Sequence, residues 1–188
     1  EDILGKNSLL RNAILSDKLG NVIFAGPPGV GKTTLIEIIS SNTRASLIKL
    51  NAVLSSIKEL RIEIANAKER LLSTKRKTIL FIDEVHRFTS AQQDALLPLI
   101  ENGTITFIGA TTENPFFAVN KALISRARIF SLLPLKKNDL KKIIEKVIKY
   151  YACLRDSRAI EITDEAINHL IKFSGGDARN LINALELG

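Results

Sequence analysis

Gly26-Pro27-Pro28-Gly29-Val30-Gly31-Lys32-Thr33-Thr34 is the stretch on which the fold turns. It satisfies G-x-x-x-x-G-K-[ST], with an apolar run, Val22 to Ala25, before it and a helical pattern, Leu35, Ile36, Ile38 and Ile39, after it. That is the strand–loop–helix setting such a loop requires. Glycine lets the backbone curl so that successive N–H groups face one point. The N-terminus of the following helix adds partial positive charge there. The loop from Gly26 to Thr34 is therefore suited to cradle nucleotide phosphates. Lys32 can reach the β- and γ-phosphates, and the Thr33 hydroxyl can bind Mg²⁺. A bare Gly-rich turn is the competing reading, which the flanking patterns disfavour.

Outward from this loop, strand and helix patterns alternate. The spacing predicts strands at 21–25, 46–50, 78–82, 104–110 and 127–133. The third is continuously apolar, as a strand buried on both faces should be. Ser56-Ile57-Lys58-Glu59 fits a capping box opening a helix with an apolar stripe at Ile57, Leu60, Ile64, Ala67 and Leu71. Ser90-Ala91-Gln92-Gln93 fits another, for a helix running to Ile100, and Asn114-Pro115 reads as a turn. The first ~134 residues thus form an α/β domain on a parallel sheet. Residues 135–188 read as a small all-helical domain. Leu140, Ile143, Ile144, Val147, Ile148 and Tyr151 share one face of its first helix, Thr163 opens a second, and a third runs from Asp177.

The 188 residues carry 27 Lys and Arg against 20 Asp and Glu, a net charge of +7. The excess is concentrated between Ile57 and Lys77 and between Lys136 and Arg158. Such clusters suit nucleic acid, although solvated helix faces look the same. A single cysteine, Cys153, excludes an intramolecular disulfide framework and points to a reducing compartment. No apolar run approaches the ~20 residues of a membrane span, and the start, Glu1-Asp2-Ile3-Leu4, lacks the basic region of a signal peptide. A cytoplasmic location is expected, nucleoid-associated in a bacterium. His86 and His169 are the only histidines, too few for a zinc constellation.

A phosphate cradle that hydrolyses its ligand needs a metal holder and a group to activate water. Phe81-Ile82-Asp83-Glu84 supplies both at the end of a buried strand, where open α/β sheets bind ligands. Asp83 is expected to hold Mg²⁺ and Glu84 to orient or deprotonate the water. The paired acids favour an ATP hydrolase. The absence of N-K-x-D counts against a GTPase, and the helical tail lacks the Arg-rich lid of a small-molecule kinase.

Asp83-Glu84-Val85-His86-Arg87-Phe88, Gln92-Gln93-Asp94-Ala95, the run Gly103 to Pro115, and Ser125-Arg126-Ala127-Arg128 together resemble the replication-associated recombination protein A family. These are AAA+ ATPases related to clamp loaders and to the Holliday-junction branch-migration motor. The resemblance implies a five-stranded parallel sheet with flanking helices and a helical lid, ATP/ADP and Mg²⁺ as ligands, and hydrolysis completed with a neighbouring subunit. It implies DNA (single-stranded, gapped or forked) as partner, a homo-oligomer in the full-length protein, and contact with replication proteins such as single-strand-binding protein. Thr111 matches the sensor-1 position, with Thr112 and Asn114 as rivals. Arg126 matches an arginine that reaches the neighbour's γ-phosphate. Arg179, in Gly176-Asp177-Ala178-Arg179, matches sensor 2, and Arg128 is structural or interfacial. Ile3 and Leu4 match the stretch that packs on adenine. His86, Arg87 and Cys153 receive no catalytic role. Family members continue past the lid, so the chain reads as an excised ATPase core. An ATP-switched recruitment module with little turnover and a clamp-loader subunit proper are the alternatives.

Overall fold

The computed structural model describes residues 5, 8–16, 18–154 and 162–187. The chain divides into two compact units: Glu1–Gly26 with Lys32–Leu132, and Pro27–Gly31 with Leu133–Gly188.

The first unit is built on strands whose side chains serve two cores. They are β1 (Val22–Ala25), β2 (Ser46–Asn51), β3 (Thr78–Asp83), β4 (Ile105–Thr111) and β5 (Arg128–Ser131). All pair in parallel, in the order β2-β3-β4-β1-β5. Strand side chains alternate in direction. Ile79 and Phe81 of β3 therefore join Phe24 and Ile108 on one face, while Leu80 and Ile82 join Ile23 and Phe107 on the other. The first face is covered by α1 (Leu9–Leu15) through Leu10 and Ile14, and by α2 (Lys32–Ser41) through Leu35, Ile36 and Ile39. The second is covered by α3 (Ile57–Thr74) through Leu60 and Ala67. The expected capping box opens α3: Ser56 Oγ accepts from Glu59 N–H at 3.2 Å, and the Glu59 carboxylate accepts from Ser56 N–H at 2.8 Å.

Four local expectations are corrected. The helix expected from Ser90 to Ile100 is two short helices, α4 (Ser90–Asp94) and α5 (Leu97–Glu101). Pro98 has no N–H to donate to the preceding turn, so the ladder breaks before it. The cap of α4 lies one residue earlier than expected, at Thr89, with Gln92 completing the box. Gln93 is freed for the interior. It donates to Phe88 O at 3.0 Å and accepts from Asn120 N–H at 2.7 Å. Asn114-Pro115 is more than a turn: Asn114 caps α6 (Pro115–Ala118), and Asn120 caps α7 (Lys121–Ile124). β5 is also shorter than its apolar run suggests.

The second unit contains α8 (Lys137–Leu154), α9 (Asp164–Ser174) and α10 (Ala178–Leu187). Its core is Leu140, Ile144 and Leu181, flanked by Ile167, Leu170 and Ile171. Tyr151 donates to Glu186 at 2.6 Å, tying α8 to α10. The Thr163 hydroxyl accepts from Ala166 N–H and opens α9, and Gly175, at φ 58°, ends it.

Candidate functional site

Parallel strands end together, so the residues that follow them share an edge. Gly26 follows β1, and its N–H donates to Thr111 O at 3.1 Å. The backbone of Leu132 passes so close that a Cβ on Gly26 would lie 2.5 Å from its carbonyl oxygen. Lys32 is buried, and its Nζ donates to the Gly26 carbonyl at 2.6 Å. Thr33 and Thr34, in the first turn of α2, are exposed.

The five residues Pro27–Gly31 group with the helical unit. Gly29 (φ 66°) and Gly31 (φ 94°) take backbone conformations that glycine permits. The Gly29 carbonyl accepts from Ala178 N–H at 3.0 Å, and a Cβ on Gly29 would fall 1.6 Å from Asp177 Oδ1. That oxygen caps α10 by accepting from the N–H groups of Arg179 (2.7 Å) and Asn180 (3.1 Å). Arg179 itself stands exposed in the first turn.

Asp83 ends β3, separated from β1 by β4 alone. The acids and the lysine-bearing turn therefore leave the same edge of the sheet. Glu84 then turns sharply, with φ 53° and ψ 45°. This left-handed conformation is costly for a residue with a side chain, and such strain concentrates at functional positions. Val85 and Phe88, both buried, anchor the short 3-10 helix Val85–Arg87 that follows. Glu84 Oε2 accepts from the Thr112 hydroxyl at 3.2 Å and lies 3.3 Å from His86 Nδ1.

Thr111, the residue expected at the sensor-1 position, ends β4. It is fully buried, its Oγ1 lies 2.9 Å from His86 Nδ1, and it accepts from Glu113 N–H at 3.0 Å. Successive residues at a strand end point in opposite directions, so the exposed hydroxyl beside Glu84 belongs to Thr112. Asn114 is spent as a helix cap, its Oδ1 accepting from Phe116 N–H.

Arg126 is not brought to this edge. It precedes β5, and its carbonyl accepts from Asn21, which precedes β1, so it sits at the amino ends of the strands. The exposed guanidinium donates to Ala122 O and pairs with Glu101. Ile3 and Leu4 lie outside the described residues, and the side chain of Cys153 does as well.

Thr33 and Asp83 offer the hard oxygen donors that Mg²⁺ prefers, and the glycine-lined loop offers N–H groups, so the residues present fit a magnesium nucleotide. Sequence reasoning gave no role to His86. The available signal was its place two residues past the acids, in a chain with only two histidines.

The model of the ATPase family associated with various cellular activities (AAA) matches residues 22–135. The chain belongs to the AAA ATPase family. Among curated AAA relatives, replication-associated recombination protein A of Haemophilus influenzae is 44% identical over 185 residues, spanning 98% of this chain and 41% of that protein. Its namesake in Escherichia coli K12 is 42% identical over 187 residues, spanning 100% and 42%. The resemblance read from the motifs is thus present along the whole chain, which spans about two-fifths of these relatives. Among solved AAA structures, the Thermotoga maritima RuvB Holliday junction branch migration motor superposes with a TM-score of 0.69 at 32% identity, covering 93% of this chain and 56% of that one. No described helix is long and apolar enough to cross a membrane.

Proposed function

We propose that this chain is the ATP-hydrolysing core of a motor acting on DNA in replication-associated recombination and fork maintenance. The observation that carries the reading is the shared sheet edge, where the Lys32 turn leaves β1 and the Asp83–Glu84 pair leaves β3, with Thr112, just past β4, donating to the Glu84 carboxylate. Gly26 to Thr34 would cradle the phosphates, with Lys32 neutralising charge on them. Thr33 and Asp83 would hold Mg²⁺, which when bound screens the phosphate oxygens. Glu84 would take the proton of the attacking water, and Thr112 would orient that carboxylate.

Arg126, at the opposite edge from its own loop, is suited to a neighbour's γ-phosphate in an oligomer. Arg179, beside Gly29 through the Asp177 cap, is suited to report the nucleotide state to the helical unit. The exposed lysines 137, 141, 142, 146 and 149 of α8 and the basic residues of α3 support a polyanionic partner such as single-stranded, gapped or forked DNA. Contact with single-strand-binding protein and adenine packing by Ile3 and Leu4 remain part of the same reading.

Steady-state hydrolysis of magnesium ATP by the full-length protein, with and without forked DNA, tests it. Glu84→Gln should abolish turnover while ATP still binds. Equal turnover in wild type and variant would reject the motor and favour an ATP-switched recruitment module or clamp-loader subunit.

A further inference from the structure

The basic cluster between Ile57 and Lys77 runs into a cavity that the proposed chemistry does not use. The cavity has a volume of about 470 Å³. Residues 43–45, ahead of β2, and 74–77, ahead of β3, line it, so it lies at the amino ends of the strands. That is the edge opposite Asp83 and Glu84. Leu19, Ala45 and the buried Ile79 give it an apolar wall. Arg44, Lys75, Arg76 and Lys77 give it four exposed cations, and no Asp or Glu lines it. Among the described residues none of the four forms an ion pair.

The backbone that carries these cations is fixed. Arg76 Nε donates to the Arg44 carbonyl at 2.8 Å, and Ser46 N–H donates to the Lys77 carbonyl at 2.9 Å, tying the two lining segments together. Lys75 ends α3 at φ 57°, a position that glycine commonly fills, so a charged side chain is kept there against the backbone preference. The positive charge also continues along α3. Lys58, Arg61 and Lys68 are exposed and, with Lys75, recur at intervals of three and seven residues, which places them on one face. No Asp or Glu stands three or four residues from any of them, the spacing at which a helix would neutralise them. At 1.5 Å per residue this stripe is about 25 Å long.

A stripe of that length calls for a polyanion, and the cavity says which kind. A phosphate alone would not fill it, whereas a nucleotide with its base and sugar would. Strand-binding sites combine a cationic track with planar groups for the bases, and arginine guanidinium planes can serve as those groups. We propose that the α3 stripe and the cavity form a binding site for single-stranded nucleic acid, with the phosphates on the stripe and one unstacked nucleotide between Arg44 and Arg76. A duplex, whose bases are paired, has no nucleotide to offer the cavity. The inference rests on the reading that the chain acts on DNA, and it assigns the strand to the sheet edge opposite the Asp83–Glu84 pair.

The test is fluorescence anisotropy of the full-length protein with a labelled oligothymidylate of about 20 nucleotides, long enough to cover one such site. A duplex of equal length and polyglutamate are the comparison ligands. The single strand should bind more tightly than either. The triple variant Lys75→Gln, Arg76→Gln and Lys77→Gln alters only exposed side chains, so its unfolding midpoint should stay close to wild type. Its affinity for the strand should fall by roughly 10-fold or more, and its plot of log affinity against log salt should flatten by about 2, from three charges at ~0.7 each. A control triple, Lys49→Gln, Lys121→Gln and Lys172→Gln, removes the same charge elsewhere and should keep the wild-type slope. Equal losses in the two triples, an unchanged affinity in the first, or a preference for duplex or polyglutamate would overturn the inference. If the wild type binds neither strand, duplex nor fork, the reading of a motor acting on DNA fails with it. If the wild type binds and the first triple binds equally well, only the site assigned here fails.

Discussion

Gly29→Ala probes the tie between the phosphate loop and the start of α10. At φ 66° an alanine pays the left-handed penalty of roughly 1–2 kcal/mol. Its Cβ would also lie 1.6 Å from Asp177 Oδ1, a separation no pair of atoms tolerates. Relief comes by rotating the carboxylate, which then releases the N–H groups of Arg179 and Asn180. Loss of such a cap costs about 0.5–2 kcal/mol. The substitution should therefore destabilise by about 1.5–4 kcal/mol in urea unfolding of the full-length protein. Asp177→Ala alone should lose only the cap. In the double variant no carboxylate remains to be displaced, so it should be no less stable than Gly29→Ala alone. This non-additivity separates a specific contact from two independent defects. Additive losses, or a Gly29→Ala protein within ~0.5 kcal/mol of wild type, would refute the reasoning.

Two further substitutions separate stability from turnover. Arg126→Ala removes an exposed ion pair with Glu101, so the melting temperature should hardly change. If the guanidinium serves a neighbouring site, the ATPase rate of the assembled protein should fall by roughly 10³-fold or more and lose its dependence on protein concentration. A rate that survives the substitution would remove Arg126 from the mechanism. Gln93→Ala should do the reverse: it strands the Phe88 carbonyl and the Asn120 N–H in the interior, costing about 2–4 kcal/mol in urea unfolding. A loss below ~1 kcal/mol would mean that these groups find other partners.

The parts of the fold that were legible in sequence are those governed by short-range rules. A loop of fixed glycine spacing between a strand and a helix announced β1 and α2, and the continuous apolar run from Thr78 to Ile82 announced β3, because a strand covered on both faces has no reason to alternate. Ser56 and Glu59 announced the start of α3 because both halves of a capping box lie within four residues. Where two nearby residues could play the same part, the sequence did not choose. Thr89 and Ser90 are both good caps followed three residues later by glutamine, and the choice fell to the interior: Gln93 is needed between Phe88 and Asn120, which leaves Gln92 for the cap and so selects Thr89.

The same logic explains what was hidden at the candidate site. Asp83 and Glu84 could be placed because the end of a buried strand in a parallel sheet has one destination. Thr111 and Thr112 could not be told apart, since a strand end sends neighbours in opposite directions and spacing does not say which faces inward. The deciding partner is His86, 25 residues away in sequence and silent by itself. It takes the inner hydroxyl, leaving the outer one to Glu84. Arg126 shows the converse. Its motif was visible, but its distance from its own loop follows only from the pairing of Val22 with Arg128, which sets it at the amino ends of the strands. A motif names the atoms that can react. The register of the sheet decides which edge they reach, and for Arg126 that is the edge at the amino ends of the strands.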